Sequence, residues 1–166
     1  MRAAIALGSN LDDRLAILKS ARQLVEQLPQ AQPPILASAI YETEPVDCKL
    51  GTPNFFNAVL EIGYDGEAGE LMQELRTIEA SLGRTRRHER NESRTVDLDL
   101  LYFGDAVIST PDLRLPHPRI AERRFVLEPL HDIRPNLTLP GARENVGILL
   151  RDLPTTPAVV RVTSQW

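Results

Sequence analysis

The order in which two kinds of apolar spacing follow one another constrains the fold of this chain more than any other feature. A short apolar run over residues 3–7 is followed by apolar residues at three- and four-residue spacings from Leu11 to Leu28. The first pattern is typical of a strand and the second of one face of a helix. Together they predict a strand, a turn at Gly8-Ser9-Asn10 with side chains suited to helix capping, and a helix that ends near Pro29.

The rest of the chain repeats this alternation with one extra strand. Residues 35–43 and 55–62 have strand-like composition. In the second segment, a wholly apolar set of side chains alternates with a set that includes polar ones. Helical spacing returns over residues 71–82 and closes at Gly83, where we predict a left-handed backbone. A further strand covers residues 94–104. The order strand-helix-strand-strand-helix-strand is the split βαβ pattern of ferredoxin-like folds.

We therefore predict an α+β, ferredoxin-like fold with a four-stranded, mostly antiparallel sheet, two helices on one face, and C-terminal additions. These additions are a turn and short helix within residues 114–130 and a final strand over residues 157–162. At 166 residues, the chain has room for one domain, residues 1–166.

Composition argues against several functional classes. The formal net charge of −4 argues against a general nucleic-acid binder or a membrane-surface protein. The single cysteine, Cys48, excludes an intrachain disulfide, and the apolar run at the N-terminus is too short for a signal peptide or a membrane span. We expect a cytoplasmic monomer that binds small molecules, with no nucleic acid and no membrane as partners.

Two aspartates interrupt the strand-like stretch RTVDLDLLYFG. Because side chains alternate along a strand, Asp97 and Asp99 are predicted to share one face with Leu101 and Phe103, roughly 6.5 to 7 Å apart along the chain. Like charges at that distance repel unless a cation lies between them. Taken alone, the segment is equally consistent with a solvent-facing edge and with a metal site.

An arginine-rich segment, GRTRRHERNESR, directly precedes this strand and holds five arginines against two glutamates. Such a run, taken alone, is often a solvated loop. However, arginine binds phosphate oxygens in a planar fork, and carboxylates bind magnesium together with substrate phosphates. Arginines that lead into an Asp-x-Asp strand therefore indicate a nucleotide-phosphate site, in which two magnesium ions could bridge the carboxylates and a triphosphate.

Five segments, in this order, resemble the 6-hydroxymethyl-7,8-dihydropterin pyrophosphokinase family: LGSN, YETEPV, FFNAVLEI, GRTRRHERNESRTVDLDLL and LPHPRIAERRFVLEPL. The most specific parts are RTVDLDLL and the pair PHPR and RRFVLEPL. The resemblance implies a ferredoxin-like transferase of folate biosynthesis. Its reaction would move the β,γ-diphosphate of ATP to the hydroxymethyl oxygen of a reduced pterin and release AMP, with two magnesium ions bound.

The resemblance also implies roles for individual residues. Asp97 and Asp99 would hold the metal ions, with Asp97 also near the pterin hydroxymethyl group. The residues implied to act in catalysis are Arg84, Arg94, Asp97 and Asp99. Those implied to bind ATP are Arg84, Arg86, Arg94, His117 and Arg123. Those implied to bind the pterin are Thr43, Pro45, Val46, Phe55, Asn57, Asp97 and Phe125, with the two phenylalanines sandwiching the ring, as a flat heteroaromatic ligand requires.

Three alternatives stay open. Asn91-Glu92-Ser93 stands where the family usually has a small pair such as Gly-Pro, which leaves open a paralogue that acts on another pterin. Ferredoxin-like sheets also serve as RNA-binding modules, in which Phe55 and Phe103 would stack on bases, although aromatic residues make up only 5% of the chain. A regulatory module that binds a small molecule would not need the Asp-x-Asp pair.

Overall fold

The computed structural model describes residues 1–45, 51–83 and 95–166. The strands are β1 (Arg2–Ser9), β2 (Ala31–Ala37), β3 (Ile40–Thr43), β4 (Phe55–Tyr64), β5 (Asp97–Phe103), β6 (Ile108–Ser109), β7 (Arg114–Leu115) and β8 (Val159–Thr163). The helices are α1 (Arg14–Glu26), α2 (Ala68–Ser81), α3 (Arg124–Ile133) and α4 (Val146–Asp152), with a short 3-10 helix at Ile120–Glu122.

The main sheet has six strands within the described residues, and its order is β5-β1-β4-β3-β8 with β2 also paired to β4. Every pairing in it is antiparallel. The predicted strand over residues 35–43 is two strands, β2 and β3, interrupted at Ser38-Ala39. Ser38 still connects them to the sheet, because its hydroxyl accepts a hydrogen bond of 2.9 Å from the Val59 backbone N–H.

Helices α1 and α2 cover one face of the sheet, as the sequence predicted. Their buried residues Leu18, Val25, Leu71 and Leu75 pack with Ile5 of β1 in one apolar core. Burial of this apolar stripe is what holds two amphipathic helices against the strands. The predicted ferredoxin-like α+β class is confirmed. Among the described segments, no helix combines the length and the apolar character needed to cross a membrane.

Helices α3 and α4 cover part of the opposite face and form a second core. Leu127 and Leu130 of α3 and Val146 of α4 are buried there with Ala4 and Val59 of the sheet. The short helix expected within residues 114–130 corresponds to the 3-10 helix and the start of α3. The final strand is present as β8, whereas α4 had no counterpart in the prediction.

Helix ends follow local capping chemistry. Helix α1 begins later than Gly8-Ser9-Asn10, because the Asp13 carboxylate accepts a hydrogen bond of 3.0 Å from the Ala16 N–H and caps the helix. Asn10 is buried, and its side chain donates instead to the Pro53 carbonyl at 3.4 Å. Gly83 has a φ of +94° just beyond α2, which confirms the predicted left-handed position.

A β-bulge in β5 corrects the predicted alternation of its side chains. Ala4 of β1 pairs with Tyr102 and the next residue, Ile5, pairs with Leu100, so Leu101 is the extra residue. Leu101 and Tyr102 therefore both pack in the α3–α4 core, while Phe103 packs in the α1–α2 core. The prediction that Phe103 shares the aspartate face is wrong, whereas the placement of Leu101 on that face holds.

A buried ion network joins the sheet to the end of α3. Glu61 of β4 is 1% exposed and accepts hydrogen bonds from Arg134, at 2.6 Å, and from Arg2, at 2.7 Å, as well as from the Tyr102 hydroxyl. Burial alone would raise the pKa of Glu61, but the hydrogen bonds from Arg134, Tyr102 and Arg2 outweigh it and lower the pKa. Since Arg134 is the C-cap residue of α3, the network fixes that end of the helix.

We expect Glu61→Gln to lower the free energy of unfolding by about 1.5 to 3 kcal/mol, the range for hydrogen bonds to a charged group, because a neutral amide then faces two guanidinium groups. Urea unfolding at pH 7 measures this loss. Glu26→Gln is the matched control, since the Arg22–Glu26 pair spans one turn of α1 near the surface. Its loss should be below about 0.5 kcal/mol.

The pH dependence of the same two proteins gives a second measurement. Because the pKa of Glu61 is lowered on folding, its contribution is present above the ordinary glutamate pKa of 4.5 and is lost as the pH falls through the folded-state pKa. The stability difference between wild type and Glu61→Gln should shrink at acid pH. A difference that stays constant down to acid unfolding would contradict an ionised Glu61.

Candidate active site

Three adjacent strands place polar groups side by side at one end of the sheet. Gly8 of β1 pairs with Asn57 of β4 on one side and with Asp97 of β5 on the other. Strand alternation puts Phe55 on the face of Asn57 and Asp99 on the face of Asp97. This is the face on which α3 packs, and both aspartates are only partly buried there. Asp97 and Asp99 thus share one face, as predicted.

Thr43 of β3 holds the Asn57 side chain. The Asn57 amide nitrogen donates to the Thr43 hydroxyl oxygen at 2.8 Å, and both residues are buried. With its nitrogen bonded in this way, the Asn57 carbonyl oxygen Oδ1 lies beside Gly8. A ligand edge that carries hydrogen-bond donors would meet an acceptor of fixed orientation here. Pro45 follows β3 and is half-buried.

The start of α3 brings a cation and an aromatic ring to the aspartates. Arg123 is the N-cap residue of α3, and its guanidinium nitrogen Nη1 lies 3.8 Å from Oδ2 of Asp99. The same guanidinium lies 5.6 Å from the ring centroid of Phe125, within the range of a cation–π contact. The Asp99 side chain keeps 38% of its surface exposed, so its carboxylate stays accessible to a ligand.

His117 occupies the turn before α3, next to this group. Its backbone N–H donates to the Leu101 carbonyl at 2.8 Å, and its Nδ1 accepts from the Arg119 N–H at 3.2 Å. Burial and the positive charges of Arg123 and Arg119 lower the pKa of His117, while Asp97 acts in the opposite direction. The imidazole is therefore neutral at pH 7, and because Nδ1 accepts a hydrogen bond, its Nε2–H is the donor that it offers to a ligand.

Several predicted site residues lie outside the described part of the chain. These are the arginines Arg84, Arg86 and Arg94, together with Val46 and the segment Asn91-Glu92-Ser93. Their roles in ATP, pterin and phosphate binding stay predictions. The described residues that the fold does bring to this end of the sheet are Thr43, Asn57, Asp97, Asp99, His117, Arg123 and Phe125, with Phe55 at the start of β4.

The carboxylates fit a magnesium ion that is shared with a substrate. In residues 1–45, 51–83 and 95–166, no group of three or more His, Cys, Asp or Glu side chains could form a metal cage. Magnesium does not need one, because it usually keeps several waters and binds one or two carboxylates together with substrate phosphates. Asp97 and Asp99, partly exposed on one face of β5, supply that donor set.

Gly8 is the site residue that sequence reasoning missed. The LGSN segment contributed to the family resemblance, but Gly8 was predicted only as part of a turn. That prediction is wrong, because β1 continues through Gly8 to Ser9. A signal was present, since glycine is unfavourable within a strand and often marks a close approach to another group. Only the pairing of β1 with both neighbours shows which groups flank it.

The fold is ferredoxin-like, with an antiparallel sheet and helices packed on it. Its candidate ligand site is polar and combines an Asp-x-Asp strand with an arginine at the start of a helix. The chain matches the family model described as 7,8-dihydro-6-hydroxymethylpterin-pyrophosphokinase (HPPK) over residues 4–135. The chain belongs to this family, which confirms the resemblance found in its motifs.

Curated relatives agree with this assignment. The 2-amino-4-hydroxy-6-hydroxymethyldihydropteridine pyrophosphokinase of Pseudomonas aeruginosa is 35% identical, and the match covers 86% of each chain. The Bacillus subtilis protein of that name is 44% identical over 79% of this chain and 77% of its own. The folic acid synthesis protein fol1 of Pneumocystis carinii is 36% identical over 82% of this chain, which spans only 18% of its length. The predicted pyrophosphokinase class, a transferase of folate biosynthesis, is confirmed.

Solved structures support the fold independently of sequence. The crystal structure of Plasmodium falciparum HPPK-DHPS, wild type with pterin and p-hydroxybenzoate, matches with a TM-score of 0.70 at 16% identity. The match covers 90% of this chain and 41% of that chain. At this identity the likeness concerns the fold alone. The monomeric state and the cytoplasmic location stay predictions.

We expect Arg123→Ala to raise the pKa of His117, because it removes one of the positive charges that lower it. An NMR titration of the imidazole measures the change. In the wild type, the folded-state pKa lies below the unfolded value of about 6.5, so stability falls as the pH drops through that region. Arg151→Ala, at an exposed position on α4, is the control and should leave the His117 titration unchanged. Equal shifts in both variants would contradict the proximity of Arg123.

Proposed function

We propose that this chain transfers the β,γ-diphosphate of ATP to the hydroxymethyl oxygen of 6-hydroxymethyl-7,8-dihydropterin and releases AMP, through the site at Asp97 and Asp99. The observation that carries the proposal is the row of Asn57, Gly8 and Asp97 on three paired strands. In this row, an amide that can hydrogen-bond to a heterocycle lies beside carboxylates that can bind a metal–phosphate complex. Family membership supports the same reaction.

The pterin would bind at the Asn57 side of the row. Asn57 and Thr43 supply oriented hydrogen-bonding groups, with the backbone near Pro45 and Val46 completing the recognition of the ring edge. Phe55 at the start of β4 and Phe125 in the first turn of α3 would provide the two aromatic faces. In this arrangement, the ring edge faces the floor of the sheet and its hydroxymethyl group extends toward Asp97.

The triphosphate would bind at the Asp99 side. Arg123, already 3.8 Å from Asp99, is placed to exchange part of that contact for phosphate oxygens. His117 is neutral, so it can donate a hydrogen bond to the nucleotide without adding a positive charge to the site. Arg84, Arg86 and Arg94 would add cationic groups, and Arg84 and Arg94 would stabilise the group in transfer.

Asp97 and Asp99 would hold magnesium. When bound, the metal neutralises the phosphate oxygens and aligns the diphosphate for in-line displacement. The protein then has to position its substrates, exclude water and compensate charge, since this class of transfer needs little covalent help from the enzyme. No side chain is required as a nucleophile.

The bond changes balance without a further reactant. The hydroxymethyl oxygen forms a bond to the β-phosphorus while the bond from that phosphorus to the oxygen bridging to the α-phosphate breaks. That bridging oxygen leaves as part of AMP, and the hydroxyl proton is released. Charge moves toward AMP during transfer, so cationic groups near the departing α-phosphate act in the transition state.

A product assay tests the reaction. The chain is incubated with ATP, magnesium and 6-hydroxymethyl-7,8-dihydropterin, and the nucleotides are separated by chromatography. One AMP for each pterin diphosphate is expected. ADP as the product would show that a different bond breaks. Pterin binding without any turnover would favour the paralogue that acts on another pterin or the small-molecule-binding module.

We expect Asp97→Asn and Asp99→Asn each to lower kcat by about a hundredfold or more, because an amide cannot supply the charge that holds magnesium beside the phosphates. Steady-state AMP formation across a magnesium titration measures the loss. Asp65→Asn is the matched control, since Asp65 is exposed just beyond the far end of β4. If either site variant keeps activity near the wild-type level at the magnesium concentration that the wild type requires, that residue does not bind the metal.

A further inference from the structure

We propose that Gly8 sets the depth of the pterin site, because any side chain there would occupy the space between Asn57 and Asp97. The inference rests on the proposed function, since it concerns how the same site admits its pterin. It assigns a role to the one position of the row that has no side chain.

The geometry at Gly8 is asymmetric between the two faces of the sheet. On β1, the neighbours Leu7 and Ser9 point to the α1–α2 side and are buried. Gly8 points to the opposite face, where α3 and α4 cover Ala4 but leave Gly8 partly exposed. The part of this face that α3 and α4 leave uncovered thus includes Gly8 of β1.

A Cβ atom built on Gly8 would meet two groups. It would lie 3.4 Å from Oδ1 of Asn57 and 4.0 Å from Cβ of Asp97. No other heavy atom lies within 4 Å of it among the described residues, chain neighbours aside. The protein therefore has room for a methyl group at this position, and close packing is not what requires glycine.

The backbone does not require glycine either. Among the described residues, the glycines with a positive φ are Gly51, Gly83, Gly104 and Gly141, whereas Gly8 has the ordinary extended conformation of a paired strand. Glycine within a strand is less stable than alanine, since it loses more freedom on folding and packs no side chain. A stability cost without a backbone or packing reason points to function.

The functional reason follows from which atoms the methyl group would meet. Thr43 fixes the Asn57 amide so that Oδ1 lies over Gly8. A methyl group would contact that acceptor and would fill the floor between it and Asp97. In the proposed arrangement, the ring edge bonds to Asn57 and the hydroxymethyl group reaches Asp97, so the floor between them is where the edge of the pterin must lie.

Gly8→Ala tests this inference. Isothermal titration calorimetry measures the binding of 6-hydroxymethyl-7,8-dihydropterin to protein saturated with magnesium and an ATP analogue that cannot be cleaved between the α- and β-phosphates. We expect the pterin Kd to rise about tenfold or more, the range for one methyl group forced into a fitted site. The Kd of the ATP analogue should change by less than about twofold, since its phosphates lie toward Asp99.

Thermal unfolding separates this role from a structural one. The Tm of Gly8→Ala should equal or exceed that of the wild type, because alanine is the better strand residue. Gly69→Ala is the matched control: Gly69 is exposed on α2 and has nothing within 4 Å of an added Cβ. It should raise the Tm and leave both dissociation constants unchanged.

Two results for Gly8→Ala would overturn the inference. A pterin Kd equal to that of the wild type would show that the pterin site accommodates the added methyl group. A lowered Tm would show that the fold itself requires the glycine. Failure of the proposed function is distinguishable from both, since the wild-type chain would then neither bind the pterin nor form AMP in the product assay.

Discussion

The pairing of β1 with β4 on one side and β5 on the other is the constraint on which the rest of the structure depends. Because β1 is antiparallel to both, residues 3–8 have a fixed partner on either side, and Gly8 meets Asn57 and Asp97. A slip of one residue would turn the amide or the carboxylate to the other face, into the apolar core. Ile5 and Leu7, buried against α1 and α2, make such a slip costly. The core on one face thereby holds the register of the polar groups on the other.

The sheet face that packs against α3 carries both a buried ionic network and the partly exposed candidate site. Strand β4 contributes residues to both. Glu61 lies under the C-terminal end of α3, where guanidinium groups and a phenol hydroxyl compensate its buried charge. Asp97 and Asp99, by contrast, are partly exposed on the same face. Arg123 at the opposite end of α3 reaches Asp99. One helix is thus anchored by a compensated carboxylate at its end and places a guanidinium beside a partly exposed carboxylate at its start.

Local and non-local patterns differed in how well they could be predicted. Asp97 and Asp99 share a face because alternation needs only a strand of period two, which the sequence shows directly. Phe103 was assigned to the wrong face because the bulge at Leu101 depends on how β5 meets β1. Likewise, the interruption at Ser38 follows from a hydrogen bond to β4, a strand that comes later in the chain.

By itself, the sequence determined the strand–helix alternation of the ferredoxin-like part, the common face of Asp97 and Asp99, and, through its motifs, the family. These properties depend on periodicity and side-chain chemistry, which are local. Only the tertiary structure decided that Asn57 and Asp97 flank Gly8 and that α3 carries Arg123 to Asp99. Those contacts join residues far apart in the chain, and strand register and helix packing are set by the burial of the whole core rather than by any one segment.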